Sequence, residues 1–242
     1  MHAVTDANTA DPRWKALYTI GGAATVAMLA LMPIQIIVFA AYPPPDTASE
    51  FFTLFQKNWL LGLLSLDLLY ILNNALLSVI YLALYFALKR SHEALMALAL
   101  TLGLLGIAAY FPSNTAFEML SLSRQFAAAT TEAQRTIVLA AGQSMLAIYI
   151  GTAFNVYYVL NAVALLIISA VMLRSPVFSR ATAYAGLVAG ILMTVPSTAG
   201  TIGLVFALAS LAPWALFSVL IARRFFQLGQ SLSRAGAPGN DH

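Results

Sequence analysis

An all-α bundle of six membrane-spanning helices is the fold class this sequence predicts, and three observations predict it. Hydrophobic residues make up 61% of the 242 positions, charged residues only 9%, and the mean hydropathy is +0.84. A soluble domain carries roughly 25% charged residues, so the chain belongs in a bilayer. The apolar residues fall into runs near the ~20 needed for a spanning helix. The basic residues alternate between connections: Arg13, Lys15, Lys89, Arg90, Arg174, Arg180, Arg223, Arg224 and Arg234 fall on one side, and Lys57, Arg124 and Arg135 on the other. That imbalance places both termini in the cytoplasm. The formal charge of +3 therefore reads as topology and not as a nucleic-acid surface.

The first span is expected over Leu17–Ala41, after Arg13 and Lys15 and before Pro43-Pro44-Pro45. Its core is longer than a signal-peptide h-region and follows Asp6 and Asp11, which argues against cleavage. Pro33 removes a backbone donor and should kink it. The polar residues Asp46, Thr47, Ser49 and Glu50 lead into Phe51–Lys57, and the second span follows, Trp59 to Leu88. Ser91 and Glu93 suggest an N-terminal cap for the third span, Ala94–Phe111, which Pro112 closes. An amphipathic stretch, Thr115–Ala128, comes next, and Thr131-Glu132 opens a further helix. Glu132 to Leu173 is expected as one helix or a nearly coaxial pair of ~63 Å, about twice the hydrocarbon core. The fifth span is expected over Ala181–Val195 and the sixth over Thr201–Ile221.

The predicted layout is thus a cytoplasmic tail over 1–15, a six-helix domain over 16–226 and a flexible tail over 227–242. The second and fourth helices extend beyond the outer surface, where segments 46–57 and 113–150 form an amphipathic outer layer.

Of nine acidic residues, Asp67 alone lies inside an apolar run. A carboxyl at mid-depth costs about 2.5–3.5 kcal/mol on the insertion scale, so it should face other helices. Asp67, Tyr70, Asn74, Ser78, Tyr81 and Tyr85 recur at three or four residues and form one polar stripe. Asp67-Leu-Leu-Tyr70-Ile-Leu-Asn73 also matches Asn155-Val-Tyr-Tyr158-Val-Leu-Asn161, sharing the pattern [DN]-x-x-Y-[IV]-L-N. A true repeat would put the second and fourth helices side by side with these groups at one depth. In so biased an alphabet, chance alignment explains the match equally well. The candidate ligand or ion site is therefore Asp67, Tyr70, Asn73, Asn74, Asn155, Tyr158 and Asn161. Glu118, Gln143 and Ser144, with Tyr149, are candidates for its outer entrance. Against this stand interhelical hydrogen bonding for the first set and an ordinary amphipathic face for the second.

Other chemistries find little support. The chain has no Cys, and its three His are His2, His92 and His242, which excludes an intramembrane metal or haem site built from thiolate and imidazole. No cofactor is expected. No span interior holds a Lys, and nothing sets a second titratable group beside Asp67, so an enzyme is the least favoured class.

Asn114-Thr-Ala-Phe-Glu-Met-Leu-Ser-Leu-Ser-Arg124, Gly151-Thr-Ala-Phe154, Val171-Met-Leu-Arg-Ser175 and Val177-Phe-Ser-Arg-Ala181 resemble the bacterial domain-of-unknown-function 4386 family. Leu66-Asp67-Leu68 and Leu82-Ala-Leu-Tyr85 fit as well. The resemblance implies a six-span bacterial inner-membrane protein without an established activity, so no site residue is carried over from it. Three expectations follow: binding of a lipid or other hydrophobic molecule in the outer half of the bundle, proton- or sodium-coupled transport through Asp67, or a scaffolding subunit. A homo-oligomer is open in each.

Overall fold

A computed structural model describes residues 11–235, and among these the regular structure is helical throughout. After a 3₁₀ turn at Pro12–Trp14 come α1 (Lys15–Ala41), α2 (Ala48–Lys57), α3 (Trp59–Ser65), α4 (Leu68–Leu88) and α5 (Glu93–Ser113). Then follow α6 (Ala116–Ala128), α7 (Glu132–Tyr149), α8 (Thr152–Leu173), α9 (Arg180–Leu192) and α10 (Gly200–Ala235).

Five stretches are long and apolar enough to cross a membrane: α1, α4, α5 with α6, α7 with α8, and α10 as far as Gln230. The fifth predicted span, Ala181–Val195, is realised as α9, whose 13 residues fall short by length. Two further expectations are corrected. Trp59 to Leu88 is not one extended helix, because it breaks at Leu66-Asp67 between α3 and α4. The final helix does not stop near Ile221 but continues to Ala235, through the first part of the expected tail. Residues 1–10 and 236–242 of the two expected tails lie outside the described residues.

The chain forms two compact units, with the division falling inside α1, α4, α5 and α8. One comprises Ala30–Asn74 and Ile107–Tyr157. Here α2 packs on α6 and α7, and α3 and α7 pack on α6. Their amphipathic faces bury Phe51, Phe52, Phe55, Leu63, Leu66 and Met119 in one apolar core. Local signals explain why α2 and α7 begin where they do. The Thr47 hydroxyl accepts the Glu50 amide while the Glu50 carboxylate accepts the Thr47 amide, and Thr131 with Gln134 repeats this reciprocal cap. Gly142 lets α7 approach α2: a Cβ there would sit 2.6 Å from the Phe52 ring and 3.0 Å from Ala48 Cβ.

The other unit comprises the described chain up to Leu29, Ala75–Gly106 and the chain from Tyr158 onward. Its core includes Tyr18, Ile80, Leu84, Leu88, Met96, Phe217 and Phe225, all nearly inaccessible. Helices α9 and α10 pack closely because Gly186 has no side chain; a Cβ would meet Ser169 Oγ and the Phe217 ring. His92, not Ser91, caps α5 by accepting the Leu95 amide on Nδ1 (3.3 Å), while Ser91 Oγ bonds Ser175 Oγ at 2.9 Å. Asp11 pairs with Arg13 at 2.7 Å and lies 3.7 Å from Arg90, and Trp14 stacks on Phe86 beside Lys89.

Candidate functional site

The break between α3 and α4 is a backbone event centred on one residue. Leu66 and Asp67 amides fall back on the carbonyls of Leu63 and Leu64 (both 3.2 Å), tightening the last turn of α3. Asp67 then takes φ +58°, the sole positive φ among described non-glycine residues. Asp is one of the few side chains that enters this left-handed region without prohibitive strain, because it is short and polar. The Asp67 carbonyl accepts the Tyr70 amide at 2.9 Å, and α4 starts.

A broken helix leaves carbonyls without intrahelical donors. Asn114, buried between α5 and α6, supplies them: its Nδ2 donates to Leu66 O at 2.9 Å and to Asp67 O at 3.4 Å, and its Oδ1 accepts the Ala116 amide. The Tyr110 hydroxyl, which accepts from Asn114 Nδ2 at 3.2 Å, donates to Asp67 O at 3.5 Å. Tyr110 and Asn114 are four residues apart and therefore share one helix face.

The carboxyl group itself is held on one side. Tyr149, the last residue of α7, donates its hydroxyl to Asp67 Oδ2. Oδ1 receives no hydrogen bond, and Asp67 makes no ion pair, among the described residues. Aromatic rings extend the site: Tyr110 lies 6.3 Å from Tyr70 and 4.9 Å from Tyr157, which in turn lies 6.0 Å from Phe154.

The sequence-predicted residues distribute unevenly around this centre. Tyr70 joins it through Tyr110, and Asn73 is partly buried one turn further along α4. Asn74 is buried, and its amide donates to Tyr70 O at 2.9 Å. Asn155 donates to Gly151 O at 2.8 Å and to Ile150 O at 3.3 Å, bracing the second break, between α7 and α8. Tyr158 and Asn161 belong to the other unit, where Tyr81 donates to Asn161 Oδ1 at 2.6 Å. The two matching motifs thus occupy different backbone settings, since Asp67 precedes its helix while Asn155 lies within the first turn of α8. Glu118, Gln143 and Ser144 are exposed, and the Ser144 hydroxyl turns back onto Ala140 O.

Sequence reasoning missed Tyr110, Asn114 and Tyr157. The spacing of Tyr110 and Asn114 at the end of the third apolar run was the available signal. Among the described residues no three His, Cys, Asp or Glu side chains come together to hold a metal ion.

Fold and site together describe an all-α protein with five stretches long and apolar enough to cross a membrane, compatible with a multi-pass membrane protein, and a carboxyl group at a helix discontinuity. Comparison of the chain with family models, with curated proteins and with solved structures finds no match.

Proposed function

We propose that the protein is a six-span bacterial inner-membrane protein, with both termini cytoplasmic, that binds a lipid or other hydrophobic small molecule in the outer half of its bundle. In this reading α9 is the short fifth span, and α2, α3, α6 and α7 make the outer layer. The alternation of basic residues between successive connections supports the span count. The observation that carries the function is the half-buried Asp67, its carboxyl bonded by Tyr149 and its carbonyl by Tyr110, whose ring packs with those of Tyr70 and Tyr157. Apolar walls with a few convergent polar groups are what small hydrophobic ligands require, and tyrosine supplies both an apolar body and a polar tip. Extraction in mild detergent followed by native mass spectrometry tests this. An apolar adduct that disappears in a Tyr110→Ala, Tyr157→Ala double variant is expected; repeated recovery of bare protein would remove the reading.

A second reading has its own observation. A discontinuous helix bearing a lone acid is a recurrent ion site in secondary transporters, and Asp67 stands at such a discontinuity. Proton- or sodium-driven uptake into proteoliposomes that Asp67→Asn abolishes, with folding intact, would establish it. If that variant loses only thermal stability, the cluster is structural, as a scaffolding subunit would need.

A further inference from the structure

We infer that the open face of the Asp67 carboxyl is the docking point for the ammonium head of a lipophilic amine, with Tyr70, Tyr110 and Tyr157 lining the path of its apolar body. The inference rests on the hydrophobic-ligand reading and names the ligand class within it.

Charge is the first argument. Every other charged side chain of this unit, including Lys57, Arg124 and Arg135, is surface-exposed, and the described ion pairs leave Asp67 out. A carboxyl in apolar surroundings stays protonated unless a counter-charge holds it ionised. Among the described residues the carboxyl receives only the neutral Tyr149 hydroxyl, on Oδ2. A cationic ligand would complete the pair at Oδ1.

The nature of that cation follows from the remaining donors and acceptors. A hard metal cation prefers about six oxygen ligands. The backbone carbonyls at the break, of Leu66 and Asp67, are already engaged by Asn114, Tyr110 and the Tyr70 amide. What the structure brings to Asp67 instead is aromatic: Tyr149 donates to its carboxyl and Tyr110 to its carbonyl, and the Tyr110 ring lies 6.3 Å from Tyr70 and 4.9 Å from Tyr157. Ring faces within ~6 Å attract organic ammonium groups, and an alkyl chain packs on the same rings. A carboxylate beside tyrosine faces therefore favours an ammonium group over a bare ion.

The test uses the full chain in dodecylmaltoside micelles, with dodecylamine, dodecanol and sodium chloride as separate probes, read by thermal unfolding and by native mass spectrometry. Dodecylamine is expected to stabilise the wild-type protein and to bind at least about tenfold more tightly than dodecanol, the margin expected of a charge-assisted contact. Asp67→Asn, which tolerates the same backbone conformation, should lose that preference, whereas Arg124→Gln, on the exposed surface, should keep it. Equal binding of dodecanol and dodecylamine overturns the ammonium assignment and leaves the hydrophobic-ligand reading standing. Binding of neither overturns both. Stabilisation by sodium but not by potassium chloride, dependent on Asp67, assigns the site to an inorganic ion and also overturns the inference. If Asp67→Asn fails to fold, the wild-type ratio of amine to alcohol affinity decides.

Discussion

Asp67 bears two demands at once, a left-handed backbone and a carboxyl clamped by a phenol, and substitutions separate them. Asp67→Val keeps neither, and a β-branched residue at this φ adds about 1–2 kcal/mol of backbone strain to the lost hydrogen bond; its unfolding temperature should fall well below that of Asp67→Gly, which relieves the strain. Asn114→Leu leaves the carbonyls of Leu66 and Asp67 short of a donor inside the protein, at an expected cost of about 1–3 kcal/mol by chemical denaturation. How far these residues could be read in advance differs. The acid announced itself, because it is the lone charge in an apolar run. Its partner Tyr149 was legible as a candidate for the outer entrance but not for this bond, since it sits 82 positions away and nothing in local spacing links a phenol at the end of one helix to a carboxyl at the start of another.

At the scale of the element, the start of α7 at Thr131 was legible, whereas α5 is capped by His92 and not by the expected Ser91. Thr131 opens α7 as expected, with Gln134 completing the cap, whereas Thr47 and Glu50, expected as a polar connection, form the same reciprocal cap at the start of α2. Thr47→Ala should therefore cost about 0.5–2 kcal/mol and selectively loosen α2, seen as faster amide exchange over residues 48–55. The break at Leu66-Asp67 was hidden, because Ser65-Leu-Asp-Leu68 holds neither Gly nor Pro and the apolar run passes straight through it. Tertiary donors from Asn114 and Tyr110 stabilise the interruption, and such donors leave no local trace. Close helix approach carries its own test. Gly142→Leu would drive a side chain into Phe52 and Ala48 and should destabilise the protein by about 1–3 kcal/mol, with α7 protected least.

For the molecule as a whole, the membrane class was legible from composition alone, while the span count depends on how α9 is read. Cysteine labelling at positions 130 and 235 tests the topology: the six-span reading expects reagents confined to the outside to reach only the first. The N-terminal turn gives a pH-dependent readout. The Arg13 guanidinium, hydrogen-bonded to the Asp11 carboxylate, holds that acid down at about 2, with the Arg13 amide and Arg90 adding to the effect. A depressed carboxyl stabilises the fold above its ordinary value of 3.8 and stops doing so as pH falls through about 2. Amide exchange over residues 14–19 should therefore accelerate between about pH 4 and pH 2, and Asp11→Asn should abolish that step.

The shortness of α9 bears on the lipid around it. Thirteen residues rise about 20 Å, while the hydrocarbon layer is about 30 Å thick. With α9 as a span, neighbouring acyl chains must compress, or the polar ends of the helix must be drawn inward. Either deformation is smaller in a thin bilayer, so the protein should melt at a higher temperature in short-chain lipid than in long-chain lipid.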